Sequence, residues 1–318
     1  MTDKRGLWSE YGIIGLGSLS YFCYTLVWFL FPAYLVTVTE SVDFSLTQAG
    51  FIAGIIPFVY VFFSLVAGAI IDRIGSQLGI GIGLVIFGSA QIWRGSAETF
   101  PAFLLATVFI GVGGTAITFG LPRLVSDLVP SELVGTMSSV YMVGSHLGSA
   151  AAFGLVRPYL DPVFNGWRLI FLLSGAVTIG FAVVWFLANY LYYRRNRDEV
   201  VLIPYQSGDG SAEDGSKFSI RSIREDVGAV ISHPQILLLV VIGAMYLFVM
   251  HGLRGWLTAI LEQWGLAAGF AATMTSAPIA SGAVSRSDRN STDSTPATTG
   301  FMYTSGIEIL IPILSIPW

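Results

Sequence analysis

Few residues in this 318-residue chain carry side chains that could do chemistry, and most of those lie inside apolar runs. His146, His251 and Arg254 are ionisable groups in stretches otherwise built from aliphatic, aromatic and small residues. A charge held in a hydrocarbon environment costs at least about 2.5 kcal/mol and is usually kept for function, so each is a candidate ligand for a proton or a polar solute. His146 lies in Gly144-Ser-His-Leu-Gly148, a small-x-x-x-small pattern that admits close helix packing. It reads equally as a packing histidine bonded to a backbone carbonyl and as a ligand. Arg254 shares a helical turn with His251, where a cation can face an anionic solute or extend to a water interface. Glu308 sits in an anomalous C-terminal tail and is set aside. Tyr21, Tyr24, Trp28 and Phe31, with Gly17, recur at helical spacing and share one face. Two hydroxyls and an indole there suit stacking and hydrogen bonding to a solute, and they suit an aromatic packing face as well.

Other chemistries find no support. There is no phosphate-cradling Walker loop, no H-E-x-x-H, no cysteine cluster and no nucleophile–base constellation, so no enzyme activity, cofactor or metal is expected. Gly111-Val-Gly113-Gly114-Thr-Ala116 imitates a dinucleotide fingerprint, but no strand precedes it and helix packing explains it. The single cysteine, Cys23, lies in an apolar run and reads as a small core residue. With 16 basic against 20 acidic residues, nucleic acid is not an expected partner.

The elements that must position these groups are membrane spans. The chain is 54% hydrophobic and only 11% charged, with a mean hydropathy of +0.71; soluble domains carry about a quarter charged residues. A span needs roughly 20 mainly apolar residues. Such runs fall near 12–36, 48–71, 78–95, 100–121, 135–157 and 167–192, then 235–261, 265–284 and 301–318. The fold class is therefore an all-α membrane protein with about eight or nine spans. With the N-terminus placed inside, twelve of the 16 lysines and arginines fall on the cytoplasmic side, and only Arg94, Arg157, Arg168 and Arg254 fall outside. The reading is a multi-pass protein of the cell membrane with a cytoplasmic N-terminus and the lipid bilayer as its first partner. Residues 193–234 are Gly-, Ser- and acid-rich and read as a cytoplasmic linker. The plan is a six-helix bundle over 1–192, that linker, and an incomplete second bundle over 235–318.

Gly68-Ala-Ile-Ile-Asp72-Arg73-Ile-Gly75-Ser76-Gln77, after the second span, resembles the G-x-x-x-D-R-x-G-R-R loop of the major facilitator superfamily. Its glycines suit a close helix approach at Gly68 and a tight turn at Gly75. Three segments agree: Asn165-Gly-Trp167-Arg168-Leu-Ile-Phe171, Pro130-Ser-Glu132-Leu-Val-Gly135, and Gly252-Leu-Arg254-Gly255-Trp256-Leu257, which is similar to a break late in the seventh helix. Ser76 and Gln77 replace the motif's basic pair, and Thr107 stands where a fourth-helix arginine is expected.

The resemblance implies a secondary transporter that moves a small-molecule solute, such as an organic anion, by alternating access, with a coupling ion as a further partner. Gly68, Asp72, Arg73 and Gly75 would form the gating loop, and Tyr21, Tyr24, Trp28, His146, His251 and Arg254 would line the path. Such folds have twelve helices, so the chain is expected to be truncated in its second half, with residues 281–300 marking the disruption. The alternative is a non-transporting remnant or membrane sensor.

Overall fold

A computed structural model describes residues 4–195 and 234–289, and those residues are helical almost throughout. In chain order the helices are α1 (Lys4–Ala33), α2 (Leu35–Val42), α3 (Leu46–Ile74), α4 (Ser76–Ser96), α5 (Phe100–Leu128) and α6 (Ser131–Ala151). A π-helical segment (Ala152–Leu160) follows, then α7 (Asp161–Phe164), α8 (Trp167–Arg195), α9 (Pro234–Gln263) and α10 (Ala268–Arg289). Seven helical runs among the described residues are long and apolar enough to cross a membrane, the last being Val241–Gln263. The first six match the six apolar runs of the sequence, and α10 is helical but is not among the seven. The run at 301–318 and nearly all of the linker lie outside the described residues.

Local signals set the boundaries. Pro32 removes a donor near the end of α1, and α2 begins at Leu35, with only Tyr34 between the two helices. α3 opens on a capping box, in which Ser45 Oγ accepts from the Gln48 backbone N–H and Gln48 Oε1 accepts from the Ser45 N–H. Gly75, at φ +86°, turns the chain directly from α3 into α4. Pro158 lies inside the π-helical segment, where it cannot donate a backbone hydrogen bond, so the fifth span is one continuous run from Ser131 to Phe164 with a widened turn in it.

The described residues form two compact units, one within Met1–Leu191 and Gly255–Trp318 and the other within Tyr192–Arg254. In the first unit, small residues set how closely helices approach. A Cβ on Gly113 of α5 would stand 2.7 Å from the Gly83 carbonyl oxygen of α4, and one on Gly175 of α8 would stand 2.8 Å from that of Gly88. Gly144 and Gly148 of α6 lie against the carbonyl oxygens of Ser18 and Phe22 on α1. Without a hydrophobic force between helices in lipid, such backbone contacts carry the association. Both the Gly111–Gly114 run and the Gly144/Gly148 pair are therefore packing surfaces.

One expectation fails. α9 is a single helix from Pro234 to Gln263, so the chain does not break at Gly252–Leu257. A break inside an apolar span would leave backbone groups without hydrogen bonds, and two glycines alone do not outweigh that cost.

Candidate functional site

The first-helix stripe opens onto a polar and aromatic cluster. Tyr24 is buried and hydrogen-bonds through its hydroxyl to Tyr60 of α3, and the Tyr60 hydroxyl in turn lies 3.0 Å from Thr118 Oγ1 of α5. Tyr21 stacks on Tyr24 with ring centroids 6.1 Å apart and meets Tyr141 of α6 at 5.9 Å. Trp28 lies 5.5 Å from Tyr24 and 5.8 Å from Tyr60. α1 supplies three of these rings because its residues at i, i+3 and i+7 point one way. Tyr60 and Thr118 are not visible from the α1 spacing, since only the packing of α3 and α5 on α1 brings them in. Gly17 and Phe31, the outer members of the stripe, pack instead against Leu121 and Phe103.

His146 is half-buried on α6, with Nδ1 2.8 Å from the Met142 carbonyl oxygen one turn back. His251 and Arg254 are half-buried on one turn of α9, in the second unit.

The end of the first unit at which α4 closes and α8 begins collects the buried cations. Arg157, on the π-helical segment, is 5% exposed and lies 4.2 Å over the Tyr34 ring. It donates to Thr37 Oγ1 at 2.7 Å and pairs with Asp161 at 3.5 Å and with Glu262 of α9 at 3.7 Å. Thr258 and Thr275 hydrogen-bond between α9 and α10 at 2.9 Å. Arg168 donates to the Gly95 and Ala97 carbonyls, and Trp167 Nε1 donates to Ser41 Oγ.

Arg94 departs most from its sequence reading. Counted with the cations of the outer side, it is fully buried among the helices near the end of α4. Nη2 donates to the Val27 carbonyl oxygen at 2.9 Å, and the guanidinium lies 5.0 Å from the Phe171 ring and 5.8 Å from Phe103. Nε and Nη1 have no hydrogen-bond partner among the described residues. The side chain lines a narrow pocket with Trp28, Phe31, Ile52, Ala53 and Thr107. Thr107 is the α5 position where the family resemblance leads one to expect arginine, so a cation does reach this pocket, but from α4.

The opposite end of the unit holds the loop motif. Asp72 and Arg73 are exposed, and Asp72 makes no ion pair among the described residues. Ser76 donates to Asp127, which pairs with Arg123 at 3.0 Å. Gly75 is required by its positive φ. Among the described residues Gly68 is not pressed by a neighbour, because a Cβ there would meet nothing within 4 Å, so they do not supply the close approach expected at that glycine.

The sequence profile of the Major Facilitator Superfamily matches residues 17–309, which is most of the chain. The chain belongs to the Major Facilitator Superfamily. Solved structures agree on the fold of this superfamily member. A bacterial homolog of the human lysosomal transporter Spinster, inward-facing and unoccupied, superimposes with a TM-score of 0.67 at 18% identity over 96% of this chain and 67% of its own. Among curated relatives, a probable L-galactonate transporter of Escherichia coli strain K12 is 25% identical over 52% of this chain. A nitrate/nitrite transporter of Picosynechococcus is 24% identical over 50% of it. The chain spans 35% and 31% of the length of those two relatives. It is thus a multi-pass membrane protein of a transporter superfamily whose members bind small-molecule solutes.

Proposed function

We propose that this chain is a secondary transporter of a small anion that works by alternating access, seated in the cell membrane with its N-terminus in the cytoplasm. The observation that carries the reading is the contact of the π-helical segment with the end of α9. There Arg157 holds Asp161 of its own strand of helix and Glu262 of the later helix series. An ion pair with both side chains largely buried keeps these helices together while it is intact, and it separates cleanly once water reaches it. Arg157–Glu262 is therefore the outer gate of the cycle. Tyr21, Tyr24, Trp28 and Tyr60 line the path beneath it, and Gly68, Asp72, Arg73 and Gly75 form the loop at the cytoplasmic end. His146, His251 and Arg254 are further path residues, and an ion gradient drives the cycle.

An anionic solute fits both curated relatives, since galactonate and nitrate are anions. Buried cations beside aromatic rings give such a solute its complement. The test is uptake by proteoliposomes containing the purified chain, with labelled nitrate or galactonate inside or outside. Saturable flux that the unlabelled anion accelerates by exchange supports the reading. Flux no greater than in empty liposomes, for anions and neutral sugars alike, overturns it.

A further inference from the structure

We infer that a cavity between α1, the π-helical segment and α8 is a binding site for one acyl chain of a membrane phospholipid. The site belongs to the lipid-facing side of the first unit and stands apart from the aromatic cluster of the proposed solute path.

Glycine contacts draw α8 onto α4 at Gly175 and α6 onto α1 at Gly144 and Gly148. Among the described residues no glycine brings α8 onto α1, and a space of about 320 Å³ lies between them. Cys23, Leu26 and Leu30 face it from one side of α1. Val156 and Leu160, which bracket Arg157 and Pro158 on the π-helical segment, form a second wall. Along α8 the cavity runs from Ile170 to Thr178, about 12 Å at 1.5 Å per residue. That is most of one leaflet's share of a hydrocarbon core ~30 Å thick.

Water does not suit this space. At ~30 Å³ per molecule it would take about ten waters, each needing roughly two to four polar partners. Ser174 and Thr178 bring the only hydroxyls among the lining residues, and both protons are already donated, to the Phe171 and Ser174 carbonyls. Ser174 Oγ also accepts from Gln91 Nε2. The Cys23 thiol behaves as a small apolar group. An apolar cavity of about 150 Å³, less than half this size, already stays dry and takes benzene. Left empty, the wall would forfeit its dispersion contacts. No charged side chain lines the cavity, so a charged headgroup has no counterpart inside and the chain alone enters.

The bilayer supplies that chain at the mouth. α8 is one of the membrane-spanning runs, and Leu173 and Val177 are exposed at the rim of the cavity. They continue the exposed apolar surface formed by Leu169, Val184 and Leu187 on the same helix. The cavity is thus an inlet of the lipid-facing surface, with the wall that carries Arg157 at its back.

The test is photo-cross-linking of the purified full chain in phosphatidylcholine nanodiscs doped with a phosphatidylcholine that carries a diazirine midway along one acyl chain. Mass spectrometry of the peptides should find cross-links at buried Cys23 or Leu30 as well as at exposed Leu187. Val177→Trp plugs the mouth from an exposed position and should cut the inner cross-linking at least fivefold while leaving Leu187 unchanged. Leu173→Trp plugs it from the neighbouring turn and decides where Val177→Trp does not fold. Cross-links confined to exposed residues, or inner cross-linking unchanged by the plug, overturn the site. Loss of the inner cross-links on adding nitrate, gluconate or glucose gives the cavity to a solute and overturns the lipid assignment. Equal labelling of Cys23 and Leu30 by a water-soluble diazirine overturns it as well, since the cavity is then wet. No arm reads transport, so failure here leaves the proposed function standing.

Discussion

The two ends of the first unit handle charge in opposite ways. At the loop end, Asp72 and Arg73 are exposed, and Arg123 and Asp127 pair with side chains 37% and 43% exposed. At the far end, Arg94 is fully buried and Arg157 is 5% exposed. Exposed charges in a loop mark an interface and interact weakly through water. Buried ones have been taken out of solvent at a cost of several kcal/mol each, so each needs a partner that the fold or a ligand supplies. The first kind is a topological signal, and the second is where the proposed transport cycle would have its gate.

Substitutions at the two ends should therefore differ in size. The largest effect is expected from Arg157→Met, which leaves Glu262 and Asp161 without their cation and should cost about 3–5 kcal/mol. A thermal melt of the detergent-solubilised chain would show it, and an unchanged melting temperature would mean the pair is solvated and no gate. Next is Gly75→Val, which forces a β-branched residue to φ +86° and should cost about 1–3 kcal/mol. Its effect should be on stability and expression. Between the ends, Tyr24→Phe removes one hydroxyl from the Tyr24–Tyr60–Thr118 chain while leaving Tyr60 bonded to Thr118, at a cost of about 1 kcal/mol. The same variant should weaken solute uptake more than it lowers the melting temperature. Smallest is Arg123→Gln, which removes a pair of the exposed i,i+4 type worth roughly 0.3–0.5 kcal/mol. A shift above about 1 kcal/mol there would erase the contrast between the ends.

The same contrast explains what the sequence reveals. The first six spans are legible because each must be apolar for about 20 residues, and the glycine contacts because only small residues let backbones meet. Gly75 is legible because it alone turns the chain from α3 into α4, and that one-residue turn has a positive φ. The burial of Arg94 is not legible, because charge counting assigns a side of the membrane and nothing local says that Val27, Phe103 and Phe171 surround it. Tyr60 and Thr118 are hidden for a related reason, since their partners lie 36 and 58 residues away. The break expected at Gly252–Leu257 fails the other way, because local glycine content is overridden by the need to keep every backbone group bonded. Gly68 matches the loop motif, yet no neighbouring helix among the described residues approaches it.

The most direct test of the account is whether the Arg157–Glu262 contact opens when the anion binds. Spin labels at Tyr159→Cys and Trp264→Cys, on exposed positions flanking that pair, with the native Cys23 replaced by Ala, report the separation by pulsed electron resonance in nanodiscs. The account predicts two distances whose ratio shifts on adding nitrate or gluconate, and a shift to the longer one in Glu262→Gln without any anion. A single distance, unchanged by anion and by Glu262→Gln, would contradict it.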